Sequence, residues 1–400
     1  MTWQTKKLGE VCEVFADGDW IEKKDQSLEG IRLIQTGNVG NGVFKERGEK
    51  ARYISEKTFK RLRCTEILPT DCLISRLPDP VGRSCIVPDT GEKMITAVDC
   101  TIIRFQKETI LSQWFVYYSS SQEYQNQINK QVSGATRQRI SRNNLGLIEI
   151  PLPKIPEQQR IVAILDEAFA AIATAKENAE KNLQNARELF ESYLQSVFDN
   201  PGDGWKEKTL DQVSITFGRG KSKHRPRNEK TLYGGKYPFI QTGDIRNSNH
   251  YITEYSQTYS EIGLAQSKLW PKGTICITIA ANIAETGILG FDACFPDSVI
   301  GLVVNPKIAE MNFVEYLLQS FKARLQEKGK GSAQDNLNMG TFENQLFPIP
   351  PLPEQHSIVS KLDVLSAETK KLEAIYRQKL ADLDELKKSV LQKAFNGGLA

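Results

Sequence analysis

Six basic side chains fall within twelve residues in the second half of the chain. They are Arg219, Lys221, Lys223, Arg225, Arg227 and Lys230. Gly218, Gly220 and Pro226 predict a loop here, and Glu229 is the one acidic residue of the segment. Lysine and arginine neutralise phosphates, and arginine can also donate two hydrogen bonds to guanine. The segment therefore predicts a contact with nucleic acid, with a solvated loop that binds nothing as the alternative.

The first half of the chain contains weaker candidates of the same kind. They are Lys23, Lys24, Arg76, Arg83, Arg137, Arg139 and Arg142. The first two lie beside Trp20 among several acidic residues, and the next two flank the rigid run Pro78-Asp79-Pro80. We expect these side chains to contact bases or phosphates. The alternative is a set of surface ion pairs, which contribute little to stability.

Four further polar side chains lie at predicted strand ends. They are Gln35, Asn38, Gln241 and Asp244. Amide and carboxylate groups at such positions could reach the edges of bases, but capping of a local turn is their more common role.

Signatures of catalysis or of metal binding are absent from the sequence. There is no Asn/Asp-Pro-Pro-Tyr/Phe run for methylation of a flipped base, no Gly-x-Gly-x-x-Gly and no His-Glu-x-x-His. Gly220-Lys221-Ser222 resembles the end of a phosphate loop, but Ile215 stands where that loop needs a glycine. The seven cysteines form no Cys-x-x-Cys pair, and only three histidines accompany them. We predict a non-catalytic binding protein with no metal site or disulfide framework.

Length and composition indicate a protein with room for two cored domains. The chain has 400 residues, of which 40% are hydrophobic, and a net charge of +3. Polar residues follow Met1, and the most apolar stretch, 274–291, is interrupted by Asn282, Glu285 and several glycines. We therefore expect a soluble, cytoplasmic protein.

The chain repeats itself at a displacement of 197 residues. Ile155-Pro-Glu-Gln-Gln-Arg-Ile-Val returns as Leu352-Pro-Glu-Gln-His-Ser-Ile-Val, and each copy opens a helical stretch of about forty residues. The preceding globular segments also correspond in order, for example Leu33-Ile34-Gln35 with Phe239-Ile240-Gln241. Shared anchors with unlike loops predict one scaffold that recognises two different targets.

Both helical stretches show a 3–4 alternation typical of a coiled coil. The predicted helix-pairing seam includes Ile161, Leu165, Ile172 and Leu189 in the first copy, and Ile358, Leu362, Leu372, Leu383 and Leu386 in the second. Asn182 and Lys379 are polar seam positions that would fix the register. The first seam is rich in alanine and the second in leucine, which favours close packing of one helix against the other. We predict an antiparallel pair within one molecule, with a generic dimerisation rod as the alternative.

In this order and duplication, the motifs resemble the specificity (S) subunit of type I restriction–modification systems along nearly the whole chain. The resemblance rests on both Pro-Glu-Gln helices, on Trp3 and Trp205, which open the two segments, and on the ending Lys387–Gly397. One departure is that the second copy has Gln334, Asn336 and Met339 where the first has arginines. A phosphate-binding role of that loop therefore cannot be shared by both halves.

The resemblance implies an α+β fold with an approximate two-fold axis. Two mixed α/β target-recognition domains, 1–152 and 200–349, would be held apart by spacer helices within 153–199 and 350–400 that pack as an antiparallel coiled coil. Each domain would read one half of a bipartite, asymmetric double-stranded DNA site.

The resemblance also implies partners. Two methyltransferase subunits would dock on the helices and methylate adenine with S-adenosylmethionine. Restriction and translocase subunits that use ATP and Mg²⁺ could join them, and the chain itself would bind no cofactor.

Two other classes of function remain open at this stage. A coiled-coil assembly scaffold without sequence-specific DNA binding would use the helices but not the basic loop. A stand-alone methyltransferase would need a cofactor site for which the sequence has no residue set.

Overall fold

The computed structural model describes residues 3–134, 138–223, 226–280, 283–330, 337 and 339–398. The chain divides into two compact units. Unit 1 contains Met1–Glu180 and Gln378–Ala400, and unit 2 contains Lys181–Arg377. Both unit boundaries therefore fall within long helices rather than in linkers.

Unit 1 contains the first head, whose described residues form ten short strands and four α-helices. The strands are β1 (Thr5–Lys7), β2 (Cys12–Asp17), β3 (Gln26–Ser27), β4 (Ile31–Ile34), β5 (Tyr53–Ile54), β6 (Cys72–Ser75), β7 (Ser84–Ile86), β8 (Met94–Thr96), β9 (Cys100–Phe105) and β10 (Glu149–Pro151). The helices are α1 (Glu56–Leu62), α2 (Ser112–Ser119), α3 (Gln122–Gln131) and α4 (Arg142–Gly146). The long helix α5 (Ile155–Asp199) follows and continues into unit 2.

Unit 2 contains the second head. Its strands are β11 (Lys206–Lys208), β12 (Ser214–Arg219), β13 (Tyr233–Phe239), β14 (Tyr251–Ile252), β15 (Gln257–Tyr259), β16 (Ile275–Thr278), β17 (Thr286–Leu289), β18 (Val299–Val304) and β19 (Phe347–Ile349). Its helices are α6 (Thr242–Asn247), α7 (Glu261–Ala265), α8 (Met311–Lys330) and α9 (Met339–Glu343). The second long helix, α10 (Leu352–Phe395), follows and ends in unit 1.

The two heads have a common strand order. The central sheet runs β2-β9-β6-β7 in the first head and β12-β18-β16-β17-β14 in the second. The four strands shared by both orders pair antiparallel, and each head also pairs its opening strand with its closing strand. The central strands β6, β9, β16 and β18 are almost entirely buried, as their β-branched sequences predict. The predicted α+β fold with two similar heads is confirmed.

The long helices run antiparallel within each unit. In unit 1, Ile161 and Leu165 of α5 share a hydrophobic core with Leu391 and Phe395 of α10, and Lys176 pairs with Asp384. In unit 2, Arg187 Nε of α5 lies 3.2 Å from a Glu373 carboxylate oxygen of α10, and Phe198 shares a core with Leu362. Partner numbers fall along α10 as they rise along α5, so the predicted antiparallel pairing is confirmed.

The seam itself needs a correction. Ile161, Leu165, Ile172 and Leu362 are buried, and Ile358 and Leu383 are half-buried, as predicted. However, Leu189, Leu372 and Leu386 are 52%, 38% and 48% exposed, and Asn182 and Lys379 are also exposed. Next to Asn182, Leu189, Leu372 and Lys379, the half-buried positions are the following residues, namely Leu183, Phe190, Glu373 and Leu380, whereas Lys387 after Leu386 is exposed. A straight α-helix drifts by about 20° per heptad, so a strict seven-residue pattern does not stay on one face over this length.

A buried glutamine at the start of each long helix connects that helix to its head. Gln158 Oε1 accepts a hydrogen bond from the Leu111 N–H at 2.9 Å, and its Nε2 donates to the Thr109 and Pro153 carbonyl oxygens at 3.0 and 2.9 Å. Gln355 makes the equivalent set of bonds with Glu310 (2.7 Å), Ile308 (3.2 Å) and Pro350 (2.8 Å). Both side chains are fully buried, so each closes a satisfied polar network inside the core.

A tyrosine and an aspartate form a second connection about two turns further along each helix. Tyr117 of α2 donates to the Asp166 carboxylate of α5, and Tyr316 of α8 donates to Asp363 of α10 at 2.7 Å. Burial, reinforced by the hydrogen bond with Asp166, raises the pKa of Tyr117 to about 12. The phenol therefore keeps its proton and remains a donor at neutral pH.

Candidate nucleic-acid interface

Strand pairing brings the predicted loops of each head to one end of its central sheet. The end of β2 lies beside the start of β9, through the pairing of Asp17 with Thr101. The end of β12 likewise lies beside the start of β18, through the pairing of Arg219 with Ile300. Loops leaving these strands therefore share one edge in each head.

The segment 219–230, the basic loop, is held to the second head through its backbone. The Ser267 hydroxyl donates to the Lys221 carbonyl oxygen at 2.8 Å, and the Lys223 N–H donates to Gln266 Oε1 at 2.6 Å. The side chains of Lys221, Lys223 and Lys230 are exposed, while Arg225 lies outside the described residues. The fold therefore anchors the loop and leaves these lysine side chains exposed to solvent.

Two arginines of the basic loop meet the same aspartate. Arg219 Nε donates to the Asp297 carbonyl oxygen at 2.8 Å, and Arg227 donates to both carboxylate oxygens of Asp297 at 2.8 and 2.9 Å. All three residues are exposed or half-buried. Ion pairs at such a surface are weak, so a phosphate could compete for the guanidinium groups.

A cleft of about 690 Å³ opens beside the basic loop. Its lining includes Arg227, Lys230, Tyr233, Phe239, Gln241 and Gln257. Cations, amides and aromatic rings together are the side-chain types that recognise phosphates, base edges and base faces.

Some of the polar residues at strand ends cap local turns. Asp244 accepts a hydrogen bond from the Gln241 N–H at 2.8 Å, and Asn38 accepts one from the Gln35 N–H at 3.0 Å. The Gln241 side chain does something different, because its Nε2 donates to Gln257 Oε1 at 2.7 Å at the cleft. Asp244 and Asn38 therefore cap turns, whereas Gln241 presents its amide to the cleft.

In the first head, Lys23 and Lys24 form a short 3₁₀ turn. Both side chains are exposed, and Lys24 Nζ lies 2.6 Å from a Glu22 carboxylate oxygen, whose hydrogen bond and charge raise the pKa of Lys24. Trp20 beside them is 71% exposed. A large exposed aromatic side chain next to cations is compatible with stacking on a base.

Arg139 in the first head parallels Arg227 in the second. Its guanidinium lies 3.1 Å from an Asp99 carboxylate oxygen, and Asp99 comes just before β9 as Asp297 comes just before β18. Arg137 lies outside the described residues, and Arg142 begins α4 with a long hydrogen bond to the Phe15 carbonyl oxygen (3.5 Å). Both heads thus hold an arginine from a neighbouring loop at the same edge of the sheet.

The predicted DNA contacts of Arg76 and Arg83 need correction, because both guanidinium groups are used inside the first head. The two residues are 4% and 7% exposed, and burial lowers the pKa of each. Arg83 donates to the carbonyl oxygens of Thr36 (2.8 Å), Val39 (2.7 Å), Leu77 (2.7 Å) and Pro80 (3.0 Å). Arg76 donates to the Val98 carbonyl oxygen and lies 3.3 Å from Asp17 Oδ1. Carbonyl groups in the rigid loop and its neighbours need buried donors, and these arginines supply them.

A match to a family model covers residues 1–183 and 202–380, and the family is described as the type I restriction modification DNA specificity domain. The chain belongs to this family. The two matched stretches also confirm the internal duplication, with one copy for each head.

Relatives that match over nearly the whole of this specificity chain agree with the assignment. The type I restriction enzyme EcoKI specificity subunit of Escherichia coli K12 is 24% identical over 411 residues, which cover 94% of this chain and 85% of the relative. Among solved structures, a chain from a study of complex assembly and conformational transition of the type I R-M system has a TM-score of 0.80 at 20% identity, covering 98% of this chain and 97% of that one. The HsdS subunit from Thermoanaerobacter tengcongensis has a TM-score of 0.64 at 19% identity, with 99% and 97% covered.

The sequence patterns did not identify two cationic side chains of the specificity chain as candidate contacts. Arg52 is exposed next to β5, and Lys268 Nζ lies 3.6 Å above the Trp270 ring. Burial and the nearby charge of Lys221 lower the pKa of Lys268. An isolated cation in a variable loop has no local pattern that identifies it, and only the position of the neighbouring strand shows where it lies.

Within the described parts of the specificity chain, no cluster of three or more His, Cys, Asp or Glu side chains could hold a metal ion. No helix among the described residues is long and apolar enough to cross a membrane.

Proposed function

We propose that each head reads one half of a bipartite, asymmetric DNA site. The proposal rests on one observation. Both heads have the same strand order, but different side chains lie at the corresponding edge of the central sheet. In the second head this edge carries the basic loop and the cleft, and in the first it carries Trp20 and the Arg139–Asp99 pair. A DNA duplex presents phosphates along its whole length and different base edges in each half-site. Two heads with the same strand order but different loops are therefore suited to an asymmetric DNA site.

We propose that the long helices set the distance between the half-sites and carry the partners. The domain boundaries proposed are 1–152, 153–199, 200–349 and 350–400, and the starts of α5 at Ile155 and α10 at Leu352 support them. Exposed apolar side chains on the helices, including Leu189, Tyr193, Leu372, Ile375 and Leu386, are suited to a protein partner. Two methyltransferase subunits would occupy these surfaces and methylate adenine.

The chemistry is assigned to those partners. We propose that this chain supplies no catalytic residue, that the methyltransferase subunits hold S-adenosylmethionine, and that any restriction subunit holds ATP and Mg²⁺. The described residues of the heads offer cations, amides and aromatic rings at their candidate edges, which bind DNA but do not transfer a methyl group.

The test removes cations from the basic loop and measures DNA binding as salt is varied. The chain is purified with its methyltransferase partner, and the triple variant Lys221→Ala, Lys223→Ala, Lys230→Ala is compared with the unmodified complex. If each lysine neutralises one phosphate, the slope of log K against log salt becomes shallower by about 2.7. Methylome sequencing of cells that express each complex shows whether a bipartite motif is still modified.

A matched control removes three exposed lysines from the opposite end of the same head. The variant is Lys206→Ala, Lys272→Ala, Lys307→Ala. These residues precede β12 and β16 or follow β18, at the strand ends remote from Arg219. An unchanged slope in both variants, with methylation intact, would favour the scaffold alternative. Methyl transfer by the isolated chain would contradict the non-catalytic proposal.

A further inference from the structure

Strand register shows that one position in the first head corresponds to one position in the second, although the two residues differ in type. In the second head, Gln257 of β15 pairs with Phe239 of β13. In the first head, Arg32 pairs with Tyr53, and the next Leu33 N–H donates to the Arg52 carbonyl oxygen at 2.7 Å. Because Leu33-Ile34-Gln35 corresponds to Phe239-Ile240-Gln241, Arg52 occupies the position of Gln257.

These residues share one face of their strands. Residues directly opposite in an antiparallel pair, and residues two apart on one strand, project to the same side of a sheet. Phe239, Gln241 and Gln257 accordingly all line the 690 Å³ cleft. The same alternation places Leu33, Gln35 and Arg52 on one face in the first head, where Arg52 is exposed.

The two glutamines of the second head form a pattern that matches adenine. The bond from Gln241 Nε2 to Gln257 Oε1 uses one donor and one acceptor of the pair. Gln241 Oε1, which has two lone pairs, and Gln257 Nε2 then offer an adjacent acceptor and donor. Adenine presents the complementary N6 donor and N7 acceptor in the major groove. Arg227 and Lys230 line the same cleft and suit the flanking phosphates.

Arginine at the equivalent position of the first head has a different preference. A guanidinium donates two parallel hydrogen bonds to guanine O6 and N7, which is the commonest base-specific contact in protein–DNA complexes. Arg52 is exposed. Gln35 lies two residues after Leu33, the partner of Arg52 on the neighbouring strand, as Gln241 lies two residues after Phe239.

We propose that Arg52 and the Gln241–Gln257 pair are equivalent base-reading sites, with Arg52 specifying a guanine in one half-site and the glutamine pair an adenine in the other. The inference rests on the proposed function and adds to it the residues that read the bases.

The experiment expresses each variant with the methyltransferase partner and determines the methylated motif by methylome sequencing. Arg52→Gln should lower discrimination for guanine at one position of one half-site by about 5- to 150-fold, with the other half-site unchanged. Gln257→Ala should relax one adenine position in the other half-site by a similar factor, and Gln257→Arg should shift that position towards guanine.

Lys50→Gln and Thr253→Ala are the matched controls, because both residues are exposed and neither belongs to the paired strands: Lys50 ends a 3₁₀ turn, and Thr253 lies in the loop between β14 and β15. Both should leave the motif unaltered. Arg52→Lys keeps the positive charge but loses the pair of parallel hydrogen bonds, so it should also lower the discrimination for guanine. If Arg52→Gln gives no methylation, Arg52→Lys provides the test instead.

An unaltered motif in Arg52→Lys or Gln257→Ala would overturn the inference, as would equal relaxation at every position. These results differ from a failure of the proposed function, in which the unmodified complex itself would methylate no bipartite motif.

Discussion

Replacing Gln158 by alanine should destabilise unit 1 by an amount that follows from its hydrogen bonds. The side chain is fully buried and makes three bonds of 2.9 to 3.0 Å, all to backbone groups of the first head or of the helix start. Alanine removes the acceptor of the Leu111 N–H and the donors to the Thr109 and Pro153 carbonyl oxygens. No water can easily replace them, because the site lies inside the core.

The expected loss is about 3 kcal/mol of unfolding free energy. A net contribution of about 1 kcal/mol for each of three bonds gives this figure, and the unpaired groups left behind would increase it. For a unit of this size the midpoint of thermal unfolding should fall by about 6–12 °C. Gln355→Ala should cost unit 2 a similar amount, because Gln355 makes the same three kinds of bond.

The assay is urea and thermal unfolding followed by circular dichroism, with Gln159→Ala as the control. Gln159 is the next residue of the same helix and is exposed, so its replacement should change stability by less than about 0.5 kcal/mol. A loss below about 0.5 kcal/mol for Gln158→Ala, or equal losses in both variants, would refute the reasoning that the buried amide joins helix to head.

Three further predictions concern other parts of the fold. Leu194→Ala should lower the free energy of unfolding by about 2–5 kcal/mol and Leu189→Ala by less than about 1 kcal/mol, because Leu194 is 5% and Leu189 is 52% exposed. Equal losses of unfolding free energy in denaturant titrations would instead support the strict heptad seam. Arg83→Ala should cost about 3–5 kcal/mol by leaving four backbone carbonyl groups without their donor, and a variant of unchanged stability with altered DNA binding would contradict its structural role. Burial of the His250 ring opposes protonation. The close contact of its Nδ1 with a Glu315 carboxylate oxygen at 2.7 Å, and the negative charge of Glu315, outweigh burial and raise the pKa of His250 above its usual value. The resulting stabilisation is complete below about pH 6.5 and is lost as pH rises through the raised pKa. His250→Gln should therefore flatten the pH dependence of the unfolding free energy of unit 2 over this range. Parallel plots of unfolding free energy against pH for the variant and the unmodified protein would contradict this prediction.

The sequence alone determined the duplication, the two long helices and the family. These features are recorded in local or repeated patterns, such as the Pro-Glu-Gln starts at 155 and 352, which survive without knowledge of contacts. A 3–4 alternation also showed that the helices pair. It did not determine every seam position, since Ala186 is buried as predicted whereas Leu189, Leu372 and Leu386 are exposed. The face that a helix buries over several turns depends on its actual twist and on its partner.

The tertiary structure decided which polar side chains are available to a ligand. Arg83 and Lys221 look alike in sequence, yet strand pairing surrounds the first with backbone carbonyl groups and leaves the second exposed. Arg52 and Gln257 became equivalent only through the register of strands separated from their partners by variable loops. Residue type supplies the chemistry of a side chain, whereas long-range packing sets its burial and its neighbours, and these decide whether that chemistry reaches DNA.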